Sequence, residues 1–126
     1  MLKKYSILVS DDSAVVRKML RHILEEGGVG NVFEARDGCE AVAIYREHRP
    51  DVVFMDIVMP GKTGLEALAE IRAHDQSARV IMASSTGTRK NLKEAIDSGA
   101  VDFIQKPFEK ESVLKLLRRL LEGEWE

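Results

Sequence analysis

Three carboxylates, a hydroxyl and an ammonium stand at the ends of short apolar runs. Asp11 and Asp12 follow the run Ile7–Val9, Asp56 follows Val52–Met55, Ser84 follows Val80–Ala83, and Lys106-Pro107 comes just after Val101–Ile104. Carboxylates gathered at ~4 Å repel, each like-charge pair costing on the order of 4 kcal/mol at an effective dielectric near 20. A cation relieves that cost. Oxygen donors with no His or Cys nearby in sequence favour Mg²⁺, which keeps several waters and binds phosphate oxygens well. A nucleophilic carboxylate (Asp56), a metal, a hydroxyl donor (Ser84) and a lysine (Lys106) together suit phosphoryl transfer. The carboxylate attacks in line while the metal and lysine offset charge on the equatorial oxygens.

Each group also has an ordinary reading. Asp or Ser after a strand often caps the next helix, and Asp12 or Ser13 can do so here. Capping does not account for Asp56, which precedes Ile57-Val58-Met59-Pro60 rather than a helix start. A salt bridge to a surface acid is the ordinary alternative for Lys106. Pro107 argues against it, because proline restricts the residue before it and aims its side chain.

These groups can meet only if the strands that carry them lie side by side. The apolar runs at Val52 and Val80 are continuous, as in strands covered on both faces of a parallel sheet. A weaker run lies at Val32–Ala35. Helix-period segments separate the runs. The first carries Val15, Val16, Met19, Leu20, Ile23 and Leu24 as one stripe, with Arg17, Lys18 and Arg21 facing away and Gly27-Gly28 as stop signals. The second carries Ala41, Ile44 and Tyr45 behind a cap at Asp37, and the third Leu65, Leu68 and Ala69 from near Thr63. The fourth carries Leu92, Ala95 and Ile96 and ends near Gly99. The fifth, about Lys110 to Glu122, has Val113, Leu114, Leu116, Leu117, Leu120 and Leu121. Six apolar positions exceed one narrow stripe, leaving surface for a partner.

Five βα units predict an α/β fold: a doubly wound, five-stranded parallel sheet with right-handed crossovers and helices on both faces. Their number suggests the order 2-1-3-4-5. The ligand site then lies beyond the carboxyl ends of the strands, where strands 1 and 3 diverge.

The 126 residues fit one domain, with roughly two thirds of the unfolded chain's surface to bury. With 44% hydrophobic and 32% charged residues, a soluble globular fold is expected rather than disorder. A net charge of −2 argues against a broad electrostatic footprint for nucleic acid or an anionic membrane. Cys39 is the single cysteine, which excludes an internal disulfide and a Cys-based metal site. No apolar run approaches the ~20 residues of a membrane span, and the N-terminus meets acids too soon for a signal peptide. The expected location is the cytoplasm.

The stretches ILVSDDS, DVVFMDIVMPGKTG, VIMASSTG and DFIQKPF, in this order, resemble the receiver domain of bacterial and archaeal response regulators. The resemblance covers essentially the whole chain and implies one CheY-like, flavodoxin-like receiver domain over residues 1–126. The order 2-1-3-4-5 is the known order of that family. It implies Asp56 as phosphoacceptor, and Asp11 and Asp12 as the acidic pair holding Mg²⁺ with Asp56 and the backbone carbonyl of Val58. It implies Ser84 as the switch hydroxyl, Lys106 as the lysine that pairs with the phosphoryl group, and Phe103 as the switch aromatic, a residue that otherwise reads as ordinary strand core. Val58 and Thr86 occupy the positions that border the path of the hydrolytic water. Ser10 stands where the family usually has an apolar residue, and is expected either to bond locally or to weaken strand 1 slightly.

The implied function is that of a stand-alone receiver. It takes a phosphoryl group from the phosphohistidine of a sensor kinase or phosphotransfer protein, and switches a face made by helix 4, strand 5 and helix 5 toward a downstream protein. It is not an enzyme beyond self-phosphorylation and slow autodephosphorylation. It acts as a monomer or a phosphorylation-dependent dimer, in chemotaxis or as a relay intermediate, with no output domain of its own. Two alternatives stand beside this: a receiver subunit or fragment of a larger regulator, and an unrelated aspartate-nucleophile phosphohydrolase. Trp125 is expected to lie far from the site.

Several look-alike motifs fall away. Gly61-Lys62-Thr63 resembles the end of a P-loop, but the first glycine that motif needs is replaced by Asp56. Gly28-Val29-Gly30 follows a helix and reads as a cap and turn rather than a dinucleotide loop. A haloacid-dehalogenase-type phosphatase wants an aspartate two residues after its nucleophile, where this chain has Val58. His22, His48 and His74 have no ligand spacing and read as surface residues, and Cys39 as an inert small residue.

Overall fold

Each strand's side chains alternate between two layers, and that alternation builds two cores, one on each face of the sheet. Strands β1 (Ser6–Ser10), β2 (Asn31–Ala35), β3 (Val52–Asp56), β4 (Val80–Ser84) and β5 (Asp102–Gln105) alternate with helices α1 (Ala14–Glu26), α2 (Gly38–His48), α3 (Gly64–His74), α4 (Arg89–Asp97) and α5 (Lys110–Glu122). The computed structural model describes residues 2–85 and 89–123, apart from the side chains of 89 and 91. All neighbouring strands are parallel, in the order β2-β1-β3-β4-β5. This is the doubly wound parallel order expected from the five βα units, and the flavodoxin-like architecture that the family resemblance implies.

Leu8, Val53, Met55, Val80 and Met82 point to one face, where Ala41, Tyr45, Leu68, Ile71 and Ala95 of α2, α3 and α4 cover them. Ile7, Val9, Val52, Phe54 and Ile81 point to the other, under Leu20 and Leu24 of α1 and Val113 and Leu117 of α5. Strands β3 and β4 are buried along their whole length, which is why their sequences run apolar without alternating.

The helix starts follow their side chains. Ser13 caps α1 by accepting from the Val16 amide, Asp37 caps α2 through Glu40, and Thr63 with Glu66 forms a capping box on α3. Gly28 (φ 96°) turns the chain out of α1, as the cap-and-turn reading requires. Gly64 is needed for a different reason: a Cβ there would run into the carbonyl oxygen of Asp56. This close approach lets α3 begin directly beside the end of β3.

Four sequence expectations need correction, one of them in α3, where Ala69 is exposed and Ala67 is buried instead. The α1 stripe splits: Leu20 and Leu24 are buried, but Val15 is 69% and Met19 49% exposed. Arg17 and Arg21 do not both face away, since each bonds Glu34 on β2. In α4 only Ala95 of the expected stripe is buried, while Leu92 and Ile96 are exposed. Helical period marks a shared face, and the neighbouring elements decide how far along it the cover extends. The α5 leucines do follow expectation: Leu116, Leu120 and Leu121 are half-buried beside the fully buried Val113, Leu114 and Leu117.

Candidate functional site: an acidic cluster at the sheet edge

Three strand ends and one loop meet at the carboxyl edge of the sheet. Asp11 leaves β1 with its amide bonded to Ala35 O (3.1 Å), so the β1–β2 ladder continues one residue past the strand. Its carboxylate is buried, and it accepts from the Ser13 amide at 2.9 Å and from Lys106 Nζ at 2.5 Å. Asp56 is the last residue of β3 and only 7% exposed, with Lys106 Nζ 3.3 Å from its Oδ1. Asp12 is exposed at the mouth. Oxygen atoms from the three carboxylates lie within 4.8 Å of one another.

Lys106 reaches this point because its own backbone continues the sheet. Its amide donates to Ser84 O at 2.9 Å, carrying the β4–β5 pairing one step further. The peptide bond from Lys106 to Pro107 is cis. Ser84 is buried at the end of β4, one strand from Asp56. The ordinary reading of Lys106, a bridge to a surface acid, does not hold: its partners are the buried acids themselves.

Burial is the largest single influence on both Asp56 and Lys106, and at Lys106 its partners together overcome it. Removal from water raises the Asp56 carboxyl to about 6, the nearby Asp11 charge adds to the rise, and Lys106 opposes it. Burial pulls the Lys106 ammonium down, but the Asp11 hydrogen bond and the charges of Asp56 and Asp11 outweigh it, so its pKa is raised. With all three acids ionised, one ammonium leaves two negative charges uncompensated. Oxygen-only donors, that residual charge and the close spacing fit a hard divalent cation such as Mg²⁺.

The other expected residues fall into four groups. Val58, two residues past Asp56, is 72% exposed. Phe103 is half-buried on β5, pairs with Met82 across the ladder, and packs against the α2–α3–α4 core. Thr86 lies outside the described residues, as does Trp125. Ser10 does form a bond, though not a local one: it is buried and its hydroxyl donates at 3.4 Å to the thioether of Met59, 49 positions away, linking β1 to the loop after β3.

Sequence reading missed two features. One is an apolar hollow of about 290 Å³ between Val16 and Met19 of α1 and Pro107 and Phe108 of the β5–α5 loop, with Lys106 and Ser85 at its rim. Met19 is exposed within it, and an apolar residue too many on the α1 stripe was its only trace in sequence. The other is Arg17, whose Nη1 donates to the Asp11 carbonyl at 2.7 Å. The histidines are exposed as expected, though His22 lies 3.2 Å from Glu26 and His48 stacks on Phe33.

Comparison with known proteins agrees with this geometry. The family model described as the response regulator receiver domain matches residues 7–118. The chemotaxis protein CheY of Bacillus subtilis is 44% identical over 117 residues, covering 93% of this chain and 98% of that protein. The solved structure of Vibrio cholerae chemotaxis protein CheY4 is 34% identical, with a TM-score of 0.86 over 93% of this chain and 98% of that one. A CheX–CheY–BeF₃–Mg²⁺ complex from Borrelia burgdorferi matches with a TM-score of 0.88 and 36% identity, over 92% of this chain and 88% of that one.

Proposed function

This chain belongs to the response regulator receiver family, and on that premise we propose that it accepts a phosphoryl group onto Asp56 from the phosphohistidine of a sensor kinase or phosphotransfer protein. The observation that carries this reading is the meeting of Asp11, Asp12, Asp56 and Lys106 at one edge of the sheet. An Asp56 carboxylate oxygen forms the new bond to phosphorus. The bond from phosphorus to the donor imidazole nitrogen breaks, and its electron pair returns to the ring. Deprotonation of Asp56 precedes attack, so its raised pKa sets an acid limit on the uncomplexed protein. Lys106, already beside Asp56 Oδ1, is placed to meet the phosphoryl oxygens, and Ser84 stands one strand away to bond the same group. When bound by Asp11, Asp12, Asp56 and the Val58 carbonyl, Mg²⁺ supplies Lewis-acid neutralisation of phosphoryl charge.

The aspartyl phosphate is the signal rather than a turnover intermediate. It biases a two-state face formed by α4, β5 and α5 toward a protein target, with Ser84 and Phe103 as the switching side chains. The relatives named CheY support a chemotaxis-type role, and the Borrelia complex supports both the metal and a protein partner. A single receiver over residues 1–126, acting through protein contacts, is the simplest form of this role. Val58 and Thr86 tune the lifetime of the phosphoryl group.

Labelling by acetyl phosphate in Mg²⁺, followed by intact-mass measurement, tests the reading. About one phosphoryl group per chain is expected, lost in Asp56→Asn. Catalytic release of phosphate from small esters, or full labelling of the Asn variant, would overturn it.

A further inference from the structure

The three acids of the cluster are not held equally. Asp56 is buried at a strand end, and the Asp11 carboxylate is tied to the Ser13 amide and Lys106. The Asp12 carboxylate is exposed and has no hydrogen bond to another described residue. Among the described residues only its backbone holds it in place, and the peptide that leads into it has the Asp11 carbonyl as its oxygen.

That oxygen is where Arg17 acts. Arg17 Nη1 donates to Asp11 O at 2.7 Å, while its Nε donates to Glu34 Oε1 at 3.0 Å. The other Glu34 oxygen takes Arg21 Nη1 at 2.8 Å, and Arg21 Nε reaches Glu25 at 3.1 Å. The Arg17 side chain is only 12% exposed, so the fork is held and largely dry. Asp11 is thus fastened on both sides: its amide by Ala35 of β2, its carbonyl by an arginine that is itself clamped to Glu34 of β2. The guanidinium offers the carbonyl and the carboxylate N–H groups from two different nitrogens held in one plane, a spacing that the single nitrogen of a lysine ammonium does not reproduce.

We infer that Arg17 is a positioning residue of the acidic cluster: clamped by Glu34, it fixes the Asp11–Asp12 peptide and so sets where the Asp12 carboxylate stands. The inference deepens the receiver reading above, since its consequence for Mg²⁺ rests on that reading. Its sign separates it from a simple charge effect. A cation beside an acidic cluster opposes metal binding, so loss of the Arg17 charge alone would tighten Mg²⁺. Loss of the clamp releases the Asp12 peptide and weakens it.

The test uses the ¹⁵N-labelled full chain with Arg17→Ala, Arg17→Lys and Glu34→Gln. In metal-free buffer the Asp12 and Ser13 amide resonances are expected to shift and broaden in both Arg17 variants, with core amides such as Phe54 unmoved. On titration, Mg²⁺ affinity is expected to fall about tenfold in Arg17→Ala, the lower end of the cost of losing a partner behind a metal ligand. It falls in Arg17→Lys as well, although the charge is kept. Glu34→Gln should weaken binding in the wild-type background and add nothing once residue 17 is Ala. Ile71→Val, in the opposite core, serves as a control of comparable stability loss and should leave Mg²⁺ affinity unchanged. Tighter Mg²⁺ binding in the Ala variant with wild-type affinity in the Lys variant would overturn the inference in favour of charge alone. Unmoved Asp12 and Ser13 amides in the metal-free variants would overturn it outright. A wild-type protein blind to Mg²⁺ would count against the receiver reading, while the metal-free amides would still decide the role of Arg17.

Discussion

The Lys106 ammonium stands 2.5 Å from the Asp11 carboxylate, joining two residues 95 positions apart in the chain. The same ammonium is 3.3 Å from Asp56, so one cation is shared between the buried acids at the ends of β1 and β3. An ammonium that starts in an ion pair can exchange one anionic partner for another, and under the proposed function Lys106 would exchange a carboxylate for the phosphoryl group.

Lys106→Ala should still be labelled at Asp56 to some extent, because the nucleophile and the other acids remain. It should lose the link to the distant face, since the differential contact that favours the active state is gone. Amide shifts in α4 on addition of beryllofluoride are the readout. Equal shifts in wild type and the Ala variant would remove Lys106 from the switch.

Asp56→Asn should stabilise the metal-free protein at neutral pH. The carboxyl is raised to about 6 when folded, with burial the chief cause, against about 3.9 in an unfolded chain. The folded state therefore holds the proton more tightly. The group's contribution to stability is greatest below about pH 4, declines as pH rises through 6, and is unfavourable above. The gain of the Asn variant over wild type should widen from near zero at pH 4 to on the order of 2 kcal/mol at pH 7. Urea unfolding in EDTA at several pH values measures it, and a gap independent of pH would contradict the raised carboxyl.

Val58→Asn should shorten the life of the aspartyl phosphate. Val58, two residues past Asp56, is exposed and carries no group to orient a water. An amide there can align the attacking water, and about 1.4 kcal/mol of such help gives tenfold. Single-turnover decay of purified phosphoprotein in Mg²⁺ should be several-fold faster than in wild type. Unchanged or slower decay would shift the control of water access away from Val58.

Gly64→Ala should destabilise the fold by about 2 kcal/mol or more, because its methyl group has no room against the Asp56 carbonyl and overpacking of this kind forces backbone shifts. Since the displaced backbone is that of Asp56, acetyl phosphate labelling should slow as well. A variant with wild-type unfolding midpoint and labelling rate would show that the α3 start yields without cost.

The amino-acid sequence by itself determined the five βα units, the two-sided strands and the acids at the strand ends. These follow from local rules: apolar runs without alternation in Val52–Met55 and Val80–Ala83, caps at Asp37 and Thr63, and chemistry placed just past each run. The membership of Ile7 and Leu8 in opposite cores is already implied by a period of two. Tertiary structure decided the rest, because it depends on which elements end up as neighbours. Period alone put Val15 and Met19 on a buried stripe, yet no neighbouring element covers them: both are exposed, and Met19 lines an open hollow. Arg17 read as a solvent-facing helix residue until the β2 edge brought Glu34 beneath it. Lys106 could be matched to an acid by charge but not to Asp11 in particular, since that contact exists only once five strands have paired in order and carried both chain ends of the site to one edge.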